Sequence, residues 1–390
     1  MNTSDILRIR LRSQLIEDGT ATTPREAVSR LLGVQAQDYA GASWAIGLRL
    51  PASTMADIER AITDRQIVRT WPMRGTMHFV AAEDVRWMLP LLTPRVLARA
   101  AGRESQLELD ARTFARARSL FAEALRGGRR ITRPDAMALL EGAGIPVTGQ
   151  RGYHILWRLA QEGLIVLGPM EGRQQTFALL DDWVPASCSA LPVDAPREVL
   201  LAHVASRYFA GHGPATLSDL ARWAGLTVTE ARAALQAVAE TLDSAEHEGD
   251  RLWFAPQSAV EPRAGSAQRA GSRKPRVHLL PGFDEYMVGY TGRRSQMGKY
   301  LEAYGSRVAS NGVLAPTVVV DGRVVAVWKR ALTARKVTFT LQTFRDLTAV
   351  EREAVAVEQA RYAAFVGREP FRRHGTALAG VAPPGPPIWG

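Results

Sequence analysis

Residues 131–180, in the middle of the chain, decide the fold. The segment "ITRPDAMALLEGAG" (131–144) offers Thr132 as an N-cap, Pro134 in the first turn and glycines at its end, which is typical of a short helix. The segment "GYHILWRLAQEGLIVLG" (152–168) shows helical spacing of apolar residues and then a short apolar strand. A turn and a second strand follow in "PMEGRQQTFALL" (169–180), and a helix, "TFARARSLFAEALRGG" (113–128), precedes them. Three helices followed by a two-stranded hairpin form the order of a winged helix.

The same order recurs on both sides of this unit. Downstream, helices are predicted at 196–213, 216–226 and 227–242, with Thr216 or Ser218 capping the second, and a turn and strand at 243–256. Upstream, a looser copy has helices at 5–15, 23–37 and 54–66 and a hairpin at 67–81. Two glutamines, Gln35 and Gln37, fall at the end of its second helix, where we expect a break, just ahead of an insertion at 38–53.

The pattern changes to strands after residue 275. Three β-branched runs, 277–290, 315–332 and 336–344, are strand candidates, and Asp321-Gly322 is a hairpin signal within the second of them. An amphipathic segment at 348–367 predicts a C-terminal helix. We therefore predict an α+β fold of tandem winged-helix (helix-turn-helix) units with a β-rich C-terminal part. The predicted division is winged helix 1 at 1–85, a helical connector at 86–111, winged helix 2 at 112–190, winged helix 3 at 191–256, a flexible linker or loop at 257–275, the β-rich domain with a basic hairpin at 276–368, and a tail at 369–390.

Composition excludes several classes of protein. The chain is 46% hydrophobic and 23% charged, and its N-terminus carries charge where a signal peptide would be apolar. No apolar run approaches the roughly 18 residues of a membrane span, so a cytoplasmic, nucleoid-associated protein is expected. The single cysteine, Cys188, and seven scattered histidines show no metal-ligand spacing, and the sequence has no glycine-rich phosphate loop, so neither a metal nor an organic cofactor is expected.

Charge points to a polyanionic partner. Lysine and arginine total 49 against 39 acidic residues, a net charge of +10, although a GC-rich genome can also enrich arginine. The excess is concentrated: from Arg276 to Arg345 there are eleven basic and four acidic residues, a net charge of +7. Nucleic acid is therefore the first candidate partner.

Four motifs carry a family resemblance. The segments "VQAQDYAGASWAIGLR" (34–49), "RTWPMRGTMHFV" (69–80), "LLPGFDEYMVGY" (279–290) and "VVVDGRVVAVWKR" (318–330) together resemble the bacterial winged-helix DNA glycosylase superfamily. Within it they are most similar to the branch of the azinomycin-resistance, interstrand-crosslink glycosylase AlkZ. The resemblance implies a concave DNA-binding face and a DNA glycosylase of DNA repair or self-resistance that acts on double-stranded DNA with alkylated purines. Because no lysine precedes residue 274, a monofunctional enzyme is expected. A monomer without an obligate protein partner is also expected.

The family's catalytic motif, glutamine, apolar residue, glutamine, matches Gln35, Ala36 and Gln37. A purine alkylated at N7 is already cationic, so it leaves as a neutral base without a general acid, and an amide can orient water without titrating. A sister branch has aspartate at the second polar position, where this chain has Gln37. Asp38 is the competing candidate, because a carboxylate can act as a base or stabilise the sugar cation.

Several other residues are candidates for DNA contact. Arg74 is expected to anchor a phosphate or the local structure, and His78 beside it is expected to be structural. Trp44 and Trp71 are expected in the core rather than stacked on bases. The remaining predicted DNA-binding residues are basic and follow residue 290: Arg293, Arg294, Arg323, Lys329, Arg330, Arg335 and Lys336. The last five are placed on or near one hairpin that projects into a DNA groove, with a solvated charged edge as the alternative.

Two other functions compete with catalysis. A transcription regulator can use winged helices without enzymatic activity, but three unlike units in one chain provide no internal two-fold axis for paired half-sites. A protein–protein scaffold is disfavoured by the positive C-terminal region. The resemblance leaves open which lesion is removed, whether crosslinks are unhooked and whether the lesion base is flipped.

Overall fold

The computed structural model describes residues 1–256, 274–310 and 312–371, without the side chain of Phe371. The predicted linker lies outside the described residues from 257 to 273, and the predicted tail does so from 372 onward.

The first unit contains four helices and three strands among the described residues. They are α1 (Thr3–Ser13), α2 (Pro24–Leu31), β1 (Val34–Gln35), α3 (Tyr39–Gly47), α4 (Met55–Thr63), β2 (Ile67–Met73) and β3 (Thr76–Ala81). Thr23 caps α2, which ends early because Leu32 takes a left-handed φ of 60°. The chain then extends into β1, so the helix predicted to run to Gln37 stops before both glutamines. The predicted insertion forms a helix, α3.

Two helices and the second unit follow. The helices α5 (Ala82–Leu92) and α6 (Pro94–Gln106) occupy the predicted connector, and the second unit comprises α7 (Ala111–Ala124), β4 (Ile131–Thr132), α8 (Arg133–Gly142), α9 (Arg151–Gln161), β5 (Ile165–Glu171), β6 (Gln174–Leu179) and α10 (Leu180–Trp183). Thr132 caps α8 in a capping box with Asp135, as predicted.

The third unit repeats the helices and hairpin. It comprises α11 (Arg197–His212), α12 (Leu217–Ala224), α13 (Val228–Val238), β7 (Asp243–His247) and β8 (Asp250–Phe254). Thr216, rather than Ser218, caps α12, and its partner in the capping box is Asp219.

The hairpins of the first two units share a sheet. Six described strands are ordered β1-β3-β2-β5-β6-β4, whereas β7 and β8 form a separate two-stranded sheet. The link is a bridge between Arg69 on β2 and Leu167 on β5. Helices followed by hairpins agree with tandem winged helices, but the first two units are joined through their strands.

The C-terminal part mixes strands with helices. It contains β9 (Val277–Leu280), α14 (Glu285–Val288), α15 (Arg294–Met297), α16 (Tyr300–Val308), β10 (Ala309–Ser310), β11 (Val313–Leu314), β12 (Thr317–Val320), β13 (Arg323–Leu332), β14 (Lys336–Thr343), α17 (Ala349–Phe365) and β15 (Glu369–Phe371). Its described sheet has the order β15-β14-β13-β12-β9. The mixed α and β composition expected from the sequence is confirmed.

Two expectations for this part were wrong. The run 277–290 is a strand only as far as Leu280, because Pro281-Gly282 breaks it and Asp284 then caps α14 by accepting from the Tyr286 amide. The tail predicted from residue 369 begins with a strand, since Glu369–Phe371 pairs in parallel with β14.

The hydrophobic cores do not follow the predicted units. One core joins side chains of α1 to α4 with the C-terminal sheet and with α17, where the ring centroids of Trp44 on α3 and Tyr362 on α17 lie 5.1 Å apart. The β-rich part at 276–368 therefore shares its core with the first unit instead of forming one alone. Among the described residues, no helix has the length and apolar character needed to cross a membrane.

Candidate active site

The two glutamines meet on an extended segment. Gln35 pairs with His78 across β1 and β3, and the Gln35 Nε2 donates to Gln37 Oε1 at 2.5 Å. Alternate residues of extended chain share a face, so the expected break after the helix brings both amides to one side, and that expectation is confirmed. Gln35 is 9% exposed and Gln37 is half-buried, which places the pair at the boundary of solvent.

Arg74 fixes the side chain of Gln35 by a hydrogen bond from the turn between β2 and β3. Arg74 and Gly75 form the two-residue turn between β2 and β3, with φ of 54° and 70°, as a type I′ hairpin turn requires. The Arg74 guanidinium donates to Gln35 Oε1 at 3.3 Å and to the Trp223 carbonyl. A left-handed non-glycine residue costs about 1 kcal/mol or more, and here it aims the guanidinium at the glutamine.

The tautomer of His78 determines which groups donate and which accept in this chain of hydrogen bonds. Its Nδ1 lies 2.9 Å from the Thr76 carbonyl, an acceptor, so Nδ1 carries the proton and Nε2 accepts from Arg74 at 3.2 Å. Because arginine can only donate, Gln35 presents its oxygen to Arg74 and its NH₂ to Gln37. Burial, with the charge of Arg74, lowers the pKa of His78 to about 3. His78 is therefore neutral and structural, as expected.

A carboxylate from the C-terminal part supports the backbone of the motif. Glu285 Oε1 accepts from the Gln35 backbone amide at 3.1 Å, and Oε2 accepts from Trp223 Nε1 at 2.8 Å and lies 3.3 Å from His212 Nε2. Burial acts to raise the pKa of Glu285, but the hydrogen bond and charge of His212, with a smaller contribution from the Trp223 hydrogen bond, outweigh it and lower the pKa. Glu285 is thus an ionised, fully buried group that fixes β1.

The residue between the glutamines is also fixed. The Ala36 carbonyl accepts from Arg69 Nε at 3.0 Å and from Nη2 at 2.7 Å, while Arg69 Nη1 donates to Gln175. Burial lowers the pKa of Arg69 to about 10, which leaves it cationic near neutral pH. Arg69 of the first unit thereby connects the backbone of the motif to Gln175 of the second unit.

Asp38 faces a different partner. Its side chain is 50% exposed, and its Oδ2 lies 3.6 Å from Arg330 Nη2. The Arg330 guanidinium also stacks over the Tyr362 ring at 5.4 Å. Asp38 thus links the motif to β13 and is engaged with a cation.

A basic pocket adjoins Gln35. Its volume is about 340 Å³, and its polar lining includes Gln35, Arg74, Arg222 and Arg293. Arg222 lies on α12 and donates to the Tyr290 carbonyl at 2.9 Å. Neither Arg222 nor Glu285 was selected from the sequence, although Glu285 lies within the family motif at 279–290 and Arg222 is a charged residue in a segment rich in apolar residues.

The other predicted DNA-binding residues do not line one common surface. Arg293 lines the pocket beside Gln35, but Arg294 and Arg323 line a larger groove, of about 930 Å³, whose described lining contains neither glutamine. Arg323 also donates to the Ser295 carbonyl. Arg293 and Arg294 are therefore not one contact point, although they are adjacent in sequence.

The basic residues of the predicted hairpin are spread along β13, the turn that follows it and the start of β14. Arg323 follows the turn between β12 and β13, at the opposite end of β13 from the turn at 333–335. Lys329, Arg335 and Lys336 are exposed near the second turn, whereas Arg330 is turned inward with 16% of its side chain exposed. All five residues lie on the hairpin of β13 and β14, as predicted, but Arg323 is far from its turn because β13 is ten residues long.

The two tryptophans lie in the core, as expected. Trp44 is 1% exposed and its Nε1 donates to the Leu279 carbonyl at 2.7 Å, and Trp71 is 2% exposed.

Comparison with known proteins identifies the family. The family model described as DNA glycosylase AlkZ-like matches residues 28–365. The chain belongs to the AlkZ-like DNA glycosylase family. A relative from Streptomyces sahachiroi named interstrand DNA cross-link repair glycosylase is 29% identical over 378 residues, covering 93% of this chain and 96% of the relative. The solved structure of the Streptomyces sahachiroi DNA glycosylase AlkZ has the same fold, with a TM-score of 0.76 at 24% identity over 95% of this chain and 99% of that one.

The family match confirms the resemblance drawn from the four motifs. Membership in a DNA glycosylase family makes DNA the substrate and favours an enzyme over a regulator or a scaffold.

Proposed function

We propose that this protein hydrolyses the N-glycosidic bond of N7-alkylated purines in double-stranded DNA, with Gln35 and Gln37 positioning the attacking water. The observation that carries the proposal is the hydrogen-bonded pair of amides at the edge of a pocket lined by arginines. Amides and arginines can orient a water and a phosphate, but they supply no general acid. A base that is already cationic needs none.

The hydrogen bonds define what the amides offer to water. Gln35 Oε1 uses one lone pair for Arg74, and Gln37 Oε1 uses one for Gln35, so each oxygen keeps a second lone pair for a water O–H. A water that donates to these oxygens directs its own lone pair at C1′. As the new C–O bond forms, the C1′–N9 bond breaks, its electron pair neutralises the departing purine, and the water proton passes to solvent. The contribution of the amides is positioning.

We propose a monofunctional enzyme. A bifunctional glycosylase forms a Schiff base through an amine, and this chain has no lysine before residue 274. Borohydride should therefore trap no covalent complex with DNA; a trapped complex would show that an amine attacks the sugar.

We extend the proposal to unhooking of interstrand crosslinks by a monomer acting on nucleoid DNA. The support is the relative named interstrand DNA cross-link repair glycosylase, which aligns along nearly its whole length. Such activity would serve DNA repair or self-resistance. A duplex carrying a crosslink through N7 of two guanines should yield separated strands on incubation with the protein.

Excision of N7-methylguanine tests the core of the proposal. Under single-turnover conditions, followed by alkaline cleavage of abasic sites, Gln35→Ala and Gln37→Ala should each lower the rate by about 100-fold. Because the two amides act as a unit, the double variant should lose little more than the worse single variant. Full activity in the double variant would refute glutamine catalysis.

Asp38→Asn separates the two catalytic hypotheses. It removes the charge that faces Arg330 but keeps a side-chain oxygen that can accept from Arg330 and leaves the amide pair intact, so most of the excision rate should remain. Collapse of the rate with an unchanged melting temperature would instead support a carboxylate mechanism.

A further inference from the structure

The pocket beside Gln35 has an unbalanced charge. Three guanidinium groups, from Arg74, Arg222 and Arg293, line it, and no carboxylate belongs to its described lining. Among the described residues, none of the three forms an ion pair with an aspartate or a glutamate. A folded chain rarely gathers three cations without a counter-ion unless a ligand supplies the negative charge.

The arginines also interfere with each other. Burial lowers the pKa of Arg293, and the charge of Arg222 lowers it further. Burial also lowers the pKa of Arg74, and the charge of Arg222 adds to this shift although the charge of Glu285 opposes it. In the part of the chain that the structure describes, the buried Nε of Arg293 has no hydrogen-bond acceptor. An anion in the pocket would relieve the repulsion and satisfy this donor.

We propose that this pocket holds one backbone phosphate of the damaged strand, the phosphate directly 5′ or 3′ to the sugar that loses its base. A guanidinium presents paired N–H groups that match phosphate oxygens, and three of them around one pocket suit a single phosphodiester. Gln35 lines the same pocket, and the nearest anions to the C1′ of a nucleotide are its own two phosphates. Holding one of them fixes the sugar relative to the amide pair.

The same charge argues against the lesion base as the occupant. An N7-alkylated purine is cationic, so three guanidinium groups repel it. This step rests on the proposed function, whereas the anion site itself rests only on the arginines. It follows that the lesion base lies outside this pocket while its phosphate lies inside.

Binding measurements with neutral phosphate analogues test the proposal. The probe is a duplex with a tetrahydrofuran abasic site and one methylphosphonate, placed 5′ to the site, 3′ to it, or several nucleotides away. For the wild-type protein, one of the two flanking methylphosphonates should weaken binding by about tenfold, and the distant one should have little effect. The dissociation constants are measured by fluorescence anisotropy at two salt concentrations.

Arginine variants locate the effect. Arg222→Ala and Arg293→Ala should weaken binding to unmodified abasic DNA by a similar factor and then show no further loss with the flanking methylphosphonate. Arg222→Lys, which keeps the charge, should retain part of the coupling. Arg294→Ala is the matched control, because its side chain lines the other groove and it should respond to the methylphosphonate as the wild type does. Circular dichroism verifies that each variant is folded.

Each opposing result would overturn the phosphate site. Additive losses from Arg222→Ala and the flanking methylphosphonate would place the phosphate elsewhere. No effect of either flanking analogue on the wild type, together with a melting temperature raised by inorganic phosphate only when Arg222 is present, would show a site for small free anions. Since the probe lacks a base, coupling without excision of N7-methylguanine would refute the proposed function and leave the phosphate site standing.

Discussion

At the scale of single residues, the tautomer of His78 determines which atoms the glutamines offer. The Thr76 carbonyl fixes the proton on Nδ1, and this leaves Nε2 to accept from Arg74. Protonation of Nε2 would place two cations in contact and release Arg74 from His78. The orientation of the amides therefore depends on a histidine that does not itself contact the reacting atoms.

The pKa of His78 predicts a dependence of stability on pH. It is about 3 in the folded protein, against about 6.5 in the unfolded chain, so between these values the unfolded state binds more protons. The free energy of unfolding should fall as pH falls through this window, by at most about 1.4 kcal/mol per pH unit from this group. Guanidinium unfolding of wild type and His78→Asn at pH 7, 6 and 5 would check it. An equal slope in the variant would contradict the assignment.

The sequence allowed part of the site to be predicted. Gln35 and Gln37 are candidates because they match the catalytic motif of the family, and a break after the helix is expected because their spacing requires one. Glu285 was missed because it meets Gln35 from 250 positions away, where no local pattern records the contact. Arg222 was missed for the same reason, since its surroundings in α12 are an ordinary amphipathic helix.

At the scale of elements, the hairpin of β13 and β14 combines two kinds of basic residue. Lys329, Arg335 and Lys336 are exposed near its turn, whereas Arg330 lies inward, against Asp38. Replacing the three exposed residues by alanine should flatten the dependence of DNA affinity on salt, by about 0.9 in the logarithmic slope for each lost phosphate contact. An unchanged slope would make the hairpin a solvated edge.

Arg330→Ala is the matched variant on the same hairpin. Its side chain contacts Asp38 and the Tyr362 ring, so its loss should alter the position of the motif more than the salt slope. We expect a lower single-turnover excision rate with a slope near that of wild type. A slope lowered as far as in the triple variant, with a normal rate, would place Arg330 on DNA instead.

The elements that were predicted correctly are those with local signals. Thr132 and Thr216 cap helices by the capping box, and Asp321-Gly322 makes a hairpin turn with φ of 47° and 83°. The short helix α14 was taken for a strand because its apolar residues face the core on every side, which hides the helical period.

At the scale of the whole molecule, the active site depends on contact between the two ends of the chain. The first unit and the C-terminal sheet share a core, and a salt bridge with no exposed side-chain surface joins Arg49 to Asp284, with distances of 2.8 and 2.9 Å. Asp284 precedes Glu285, which holds the Gln35 amide. Folding of the C-terminal part therefore positions the segment that carries the proposed catalytic glutamines.

Removing one charge of this pair should cost stability and activity together. Arg49 also donates to the Gln14 and Ala45 carbonyls, but Asp284→Asn leaves its charge buried without a counter-ion, which costs about 3–5 kcal/mol. Arg49→Met combined with Asp284→Asn should recover part of that loss, because no unpaired charge remains. The pair of Arg25 and Glu83, whose arginine is 53% exposed, is the control, and Arg25→Ala should cost less than about 1 kcal/mol. Urea unfolding measures the free energies of unfolding. Excision by Asp284→Asn well below its melting temperature should still be slow, since the segment carrying Glu285 has lost its salt bridge to Arg49. Normal excision by folded Asp284→Asn would show that Glu285 is held in place by its other contacts.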